Sequence, residues 1–131
     1  MKTLIVEDDF TSRVLMQELL RSYGPTHIAV NGMEAVEAVR ASLEDSQPYD
    51  LICLDIMMPG MDGHQALKEI RALETAKGIF STDGAKIIMT TVLTDMKNKI
   101  DAYANLCDGY VSKPIYKERL LDELRKLELI S

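Results

Sequence analysis

Long hydrophobic runs are missing from this 131-residue chain. Its apolar stretches are short and broken by acids, as at residues 51–58 around Asp55, so no membrane span fits. The N-terminus is no signal peptide, because Glu7, Asp8 and Asp9 follow only four apolar or neutral residues after Lys2. A cytoplasmic location is the default expectation. Cysteine is scarce. Cys53 and Cys107 occur in a chain long enough to bury a core without a staple, so both read as reduced thiols, Cys53 inside a strand. A disulfide between them stays open, and two lone thiols make a poor metal site. Clusters of Lys and Arg are absent and the formal charge is −6, which argues against direct nucleic-acid binding. The only histidines are His27 and His64, neither in a helical phosphotransfer context, so both read as structural or exposed. Repeats and low-complexity tracts are absent as well.

What is present is alternation, within a length that suits one domain over residues 1–131. Leu4-Ile5-Val6 reads as a buried strand. Residues 10–22 follow as a helix with Val14, Leu15 and Leu19 on one face, stopped by Gly24-Pro25. Residues 27–30 form a weak second strand. Asn31 caps the next helix, whose Ala35, Val36, Val39 and Leu43 have helical spacing. Pro48 breaks before the strand at 51–54. Asp62-Gly63 opens a third helix, with Asp62 as its cap and Ala66, Leu67, Ile70 and Leu73 inward. A polar loop at 77–85 leads to a strand at 86–89. A short, mostly polar helix spans 94–105. Tyr110-Val111 is the fifth strand, and the last helix, 115–129, carries Leu120, Leu121, Leu124 and Leu127 as its stripe. Five βα units with continuous rather than alternating apolar strands mean an α/β fold. Its sheet is parallel and doubly wound, with helices on both faces. Sites in such sheets lie at the carboxyl ends of the strands.

Those ends carry the chemistry. Glu7, Asp8 and Asp9 follow strand one, Asp55 ends strand three, Thr90 and Thr91 end strand four, and Lys113 ends strand five before Pro114. Clustered carboxylates repel by ~4 kcal/mol per pair at about 4 Å and an effective dielectric of about 20, so they need a cation. All-oxygen ligands with open positions favour Mg²⁺. A metal and Lys113 can neutralise a transferring phosphoryl group, with Asp55 as the nucleophile of an acyl phosphate.

Four segments run in register with a known family: Leu4-Ile5-Val6-Glu7-Asp8-Asp9; Asp55-Ile56-Met57-Met58-Pro59-Gly60-Met61-Asp62-Gly63; Ile87-Ile88-Met89-Thr90-Thr91; and Gly109-Tyr110-Val111-Ser112-Lys113-Pro114. With them the chain resembles response-regulator receiver domains, single-domain chemotaxis-type members included, over nearly its whole length. The resemblance implies the flavodoxin-like strand order 2-1-3-4-5 and a two-component, phosphorelay role. Asp55 would accept the phosphoryl group. Asp8 would ligate Mg²⁺ directly, Glu7 through water, and Met57 through its backbone carbonyl, with Asp55 completing the set. Thr91 and Lys113 would hold phosphoryl oxygens, and Tyr110 would change rotamer with phosphorylation. Asp9 lies outside the family's acidic pair. The Lys113-Pro114 bond would be cis. The donor would be a histidine kinase or a histidine phosphotransfer protein. Output would pass to a protein target through the face made by residues 94–105, the fifth strand and the last helix. No nucleic acid or membrane partner is implied, and no enzyme activity beyond self-catalysed phosphoryl transfer and autodephosphorylation.

Three departures from the family pattern carry expectations. The loop at 77–85 is long but enters at the edge away from the site. Leu106 stands where the family often has glycine, so Asn105 is expected to take the left-handed conformation instead. Val92 follows Thr91 where a small residue is usual. Together with Met57, it suggests slow dephosphorylation. Two other functions compete. An aspartate-nucleophile phosphatase needs an acid two residues after the nucleophile, where this chain has Met57. An unphosphorylated module of the same fold would lose the acids or the lysine, and this chain keeps them. The chain stops soon after the last helix, so output is expected from binding another protein.

Overall fold

A computed structural model describes residues 1–57, 60–79, 83–92 and 106–131. In chain order the elements are β1 (Thr3–Val6), α1 (Phe10–Leu20) with a 3-10 turn at Arg21–Tyr23, β2 (Thr26–Ala29), α2 (Gly32–Glu44), β3 (Leu51–Asp55), α3 (Gly63–Ala76), β4 (Lys86–Val92), β5 (Gly109–Lys113) and α4 (Lys117–Lys126). The helix expected at residues 94–105 and the conformation expected of Asn105 lie outside the described residues, as do Met58 and Pro59 of the second motif. The strands form one all-parallel sheet in the order β2-β1-β3-β4-β5. This is the doubly wound, flavodoxin-like arrangement.

Continuous apolar strands are explained by two cores. Leu4, Val6, Ile52, Leu54, Ile87 and Met89 face one side, where α2 and α3 bring Ala35, Val39, Ala66, Leu67 and Ile70. Ile5, Leu51, Cys53, Ile88 and Val111 face the other, with Met16 and Leu20 of α1 and Leu120, Leu121 and Leu124 of α4. Edge strand β2 is only partly covered, which is why its signal in the sequence is weak. It starts and ends one residue earlier than expected.

The inward face of α1 differs from expectation. Met16 and Leu20, four apart, are buried and Leu19 is partly buried, while Val14 and Leu15 are exposed. The helix carries two neighbouring apolar stripes, and spacing alone does not say which one meets the sheet. The last helix is shorter than the expected 115–129, because the chain leaves it through a left-handed residue at Glu128 (φ 60°). Ile115 and Leu129 pack on the core from outside the helix. The strands β4 and β5 run further than expected, so Thr90, Thr91 and Lys113 lie within the sheet's last pairs.

At the edge away from those strand ends lies a buried ion cluster that the sequence reading did not contain. Arg71 on α3 donates from Nε to the Leu106 carbonyl at 2.8 Å and from Nη1 to Glu74 Oε1 at 2.7 Å and the Ala85 carbonyl at 2.9 Å. Its Nη2 donates to Asp108 Oδ2 at 2.9 Å. The Glu74 carboxylate also accepts from the Ala85 amide, and Asp108 from the Ile87 amide. One guanidinium thus ties α3 to the segments entering β4 and β5. The described ends of the 77–85 loop, Ile79 and Ala85, both bond Glu74 at this edge, as expected.

Candidate functional site

Strand alternation assembles the site. Ile5, Cys53 and Val111 all face the α1/α4 core. Two residues on, Glu7, Asp55 and Lys113 follow on that face, at or just past the carboxyl ends of their strands. Glu7 and Asp55 remain buried, while Asp8 is exposed. Lys113 Nζ donates to Glu7 Oε1 at 2.8 Å and to Asp55 Oδ2 at 3.1 Å. The Met57 amide donates to Asp55 Oδ1 at 3.1 Å, which ties residue 57 to the same carboxylate. The Lys113-Pro114 bond is cis.

Two short-range devices shape the surroundings. Asp9 accepts from the Ser12 amide at 2.9 Å and so is the N-cap of α1, apart from the acidic pair. Asp62 caps α3 in the same way through the Gln65 amide. The residue after it has to be glycine. A Cβ on Gly63 would sit 2.3 Å from the Asp55 carbonyl oxygen and 2.7 Å from Ile56 Cα. The start of α3 therefore lies against the strand end that carries Asp55.

The carboxylates of Glu7, Asp8 and Asp55 each offer an oxygen within 4.8 Å of the others. Burial, and then the neighbouring Asp55 carboxylate, push the Glu7 carboxyl up to about 7 against the lowering pull of Lys113. Burial alone would lower Lys113, but its hydrogen bond to Glu7 and the charge of Asp55 outweigh that and raise it. Glu7 Oε2 is buried and without a hydrogen-bond partner. An orphaned acceptor beside two further carboxylates is what a hard divalent cation would satisfy, so the donor set fits Mg²⁺.

The remaining expected residues are placed as follows. Thr91 is buried at the end of β4, and its hydroxyl makes only a long 3.3 Å bond to the Val92 carbonyl among the described contacts. It follows Met89 by two and so points to the α2/α3 side of the sheet, the side Tyr110 also takes next to Val111. Tyr110 is 43% exposed and no core residue. His64 is buried, and His27 Nδ1 lies 2.8 Å from the Tyr49 hydroxyl. Cys53 and Cys107 are both free thiols, with burial pushing Cys53 up to about 12. One site neighbour was missed by the sequence reading. Arg13, one turn into α1, donates to the Asp8 carbonyl at 2.9 Å and the Glu7 carbonyl at 3.3 Å. The only signal for it was a lone arginine following an acidic loop.

A doubly wound parallel sheet, with a carboxylate cluster and a lysine converging at its strand ends, defines a class of small phosphoryl-handling α/β domains. The response regulator receiver domain model matches residues 3–125, and the chain belongs to that family, the receivers of two-component signalling. It is 34% identical to the rice two-component response regulator ORR41, over 98% of this chain and 94% of that protein. It is 32% identical to the sensor protein GacS of Pseudomonas syringae pv. syringae, over 95% of this chain but only 13% of that protein. Among solved structures, the chemotaxis protein CheY4 of Vibrio cholerae is similar with a TM-score of 0.75 and 27% identity, over 95% of this chain and 96% of that one. The receiver domain of a Pseudomonas aeruginosa sensor histidine kinase is similar with a TM-score of 0.74 and 26% identity, over 95% and 94%. That structure holds a magnesium ion coordinated in its active site cleft. No helix among the described residues is long and apolar enough to cross a membrane.

Proposed function

We propose that this receiver accepts a phosphoryl group on Asp55, with Mg²⁺ held by Glu7, Asp8, Asp55 and the Met57 carbonyl. The carrying observation is the convergence of Glu7, Asp8, Asp55 and Lys113 at one sheet edge, with a buried Glu7 oxygen left unpartnered. When bound, the metal neutralises phosphoryl oxygens and holds them near Asp55. The chain's own residues do the rest. A carboxylate oxygen of Asp55 attacks phosphorus, the bond from phosphorus to the donor imidazole nitrogen breaks, and an acyl phosphate forms. Lys113 already touches Asp55 and keeps its positive charge there to pair with a phosphoryl oxygen. The Thr91 hydroxyl exchanges its long bond to Val92 for another such oxygen. Thr91 and Tyr110 share a face, so movement of the first opens space for the second to turn inward. The output surface is then β5 and α4 together with residues 94–105.

The donor is a histidine kinase or a histidine phosphotransfer protein. The exposed stripe of α1 supports a protein donor. Phe10, 69% exposed, and Val14 and Leu15 present apolar surface on the helix that begins at the acidic loop.

Mass spectrometry after incubation with acetyl phosphate and Mg²⁺ tests the reading. One phosphoryl adduct on Asp55 is expected, absent in Asp55→Asn and after chelation. An adduct on another residue would sink the assignment. Continuous release of phosphate with no accumulated adduct would favour a phosphatase, for which Met57 offers no proton. Thr91→Ala should leave Asp55 phosphorylated but cut the chemical-shift changes that the beryllofluoride complex otherwise sends into β5.

A further inference from the structure

Three successive acids, Glu7, Asp8 and Asp9, form the loop between β1 and α1. Like charges so close push a free loop apart. Two of the three are held by contacts common to this kind of turn. The Glu7 amide donates to the Ala29 carbonyl at 3.0 Å, and Asp9 caps the helix while its carbonyl accepts the Arg13 amide. The peptide units that carry the Glu7 and Asp8 carbonyls need another tether. The Arg13 guanidinium supplies it, with one nitrogen bridging both carbonyls. The Phe10 ring lies 5.6 Å from that guanidinium and backs it.

We propose that Arg13 is a positioning residue for the metal site: by clamping the Glu7 and Asp8 carbonyls it fixes the two peptide planes that aim their carboxylates. This rests on the Mg²⁺ reading above. The clamp has a signature that separates it from simple electrostatics. A positive charge near a cation site repels the cation, so charge alone predicts that removing Arg13 tightens Mg²⁺ binding. Preorganisation predicts the reverse, because the freed loop has to be ordered on binding. Residues that orient metal ligands are worth about 10–100-fold in affinity.

The test uses the full chain and Mg²⁺ alone, titrated by NMR shifts of the residue 7–10 amides. Arg13→Met keeps an apolar stem against Phe10 and removes charge and donors. It should bind Mg²⁺ about tenfold more weakly. The difference should persist in about 1 M salt, where the screening length is only ~3 Å. Arg13→Lys, which keeps a donor on a shorter stem, should recover part of the loss. Leu19→Ala, a comparable loss of packing on the same helix away from the loop, should leave Mg²⁺ affinity unchanged, which separates the clamp from general weakening of α1. In the metal-free protein, ¹⁵N order parameters of Asp8 and Asp9 should fall in Arg13→Met only. Tighter or unchanged Mg²⁺ binding in Arg13→Met overturns the inference, as does an equal loss in Leu19→Ala. If the wild type binds no Mg²⁺, the site reading fails and takes the metal role of Arg13 with it. Unchanged order parameters in Arg13→Met would then remove the clamp too.

Discussion

At the scale of single side chains, the buried Glu7 at the sheet edge sets a pH response. Glu7 is held up near 7 by burial and by Asp55. Its unfolded value is the ordinary 4.5, so between these values the unfolded chain has lost a proton that the folded chain keeps. Stability of the metal-free protein should therefore fall as pH rises from 4.5 to 7 and level off above it. A shift of that size corresponds to roughly 3 kcal/mol. Urea unfolding at several pH values checks this, and Glu7→Gln should flatten the slope and stabilise the metal-free protein at pH 8. Mg²⁺ binding below pH 7 should release protons, measurable by calorimetry in two buffers of different ionisation enthalpy. The rim of the same site carries Met57, 53% exposed, and Val92, 44% exposed. Neither side chain carries an amide or acid to orient a water molecule. Val92 also pairs in register with Lys113, whose ammonium reaches Asp55. Slow loss of the phosphoryl group is expected, with Met57→Asn and Val92→Ala each speeding decay of the Asp55 adduct. Decay rates equal to the wild type would show that the rim does not set the lifetime.

At the level of elements, three helices end by one device with three different residues. After α2, the Ser46 amide bonds the Leu43 carbonyl and the Gln47 amide the Ser42 carbonyl. After α3, Gly78 bonds Thr75 and Ile79 bonds Glu74. After α4, Glu128 bonds Arg125 and Leu129 bonds Leu124. Each is the paired-bond turn that places one residue in the left-handed region, with φ 57° at Ser46, 78° at Gly78 and 60° at Glu128. Only α3 has glycine there. Ser46→Gly and Glu128→Gly should each stabilise by ~0.5–1 kcal/mol, and Gly78→Ala should destabilise by a similar amount. A Cβ on Gly78 would touch nothing within 4 Å, so its cost is purely conformational. Thermal unfolding of the three variants measures it. Gly63 is the contrasting case. There a Cβ would collide with the backbone beside Asp55, so Gly63→Ala should weaken phosphorylation as well as stability.

Across the whole molecule, the edge opposite the site adds a buried ion cluster to its hydrophobic packing. Arg71 is nearly buried and serves two carboxylates and two carbonyls from three different segments. Removing it strands Glu74 and Asp108 without their cation. Arg71→Ala should cost ~3–5 kcal/mol, a large share of the stability of a domain this size. Arg71→Lys should not recover it, because a point charge cannot meet acceptors arranged around a planar fork. Denaturant unfolding of both variants decides this.

Composition and pattern were enough to give the layers and the cluster of charged groups at the strand ends. Apolar runs buried on both faces require a parallel sheet under two helical layers, and strand ends in such a sheet converge. The convergence of Glu7, Asp8, Asp55 and Lys113 was therefore legible from their positions just past or within those runs, and the caps Asn31 and Asp62 from local chemistry alone. Tertiary structure decided whatever depends on which neighbour a side chain meets. The two apolar stripes of α1 are equivalent to a count of spacing, and only docking on the sheet buries Met16 and Leu20 while leaving Phe10 and Val14 outside. Beyond the local pair with Glu74, Arg71 has partners 35 and 37 residues away at Leu106 and Asp108. No local pattern links them. Arg13 acts through backbone carbonyls, which every sequence has, so its role becomes visible only when the loop is folded against it.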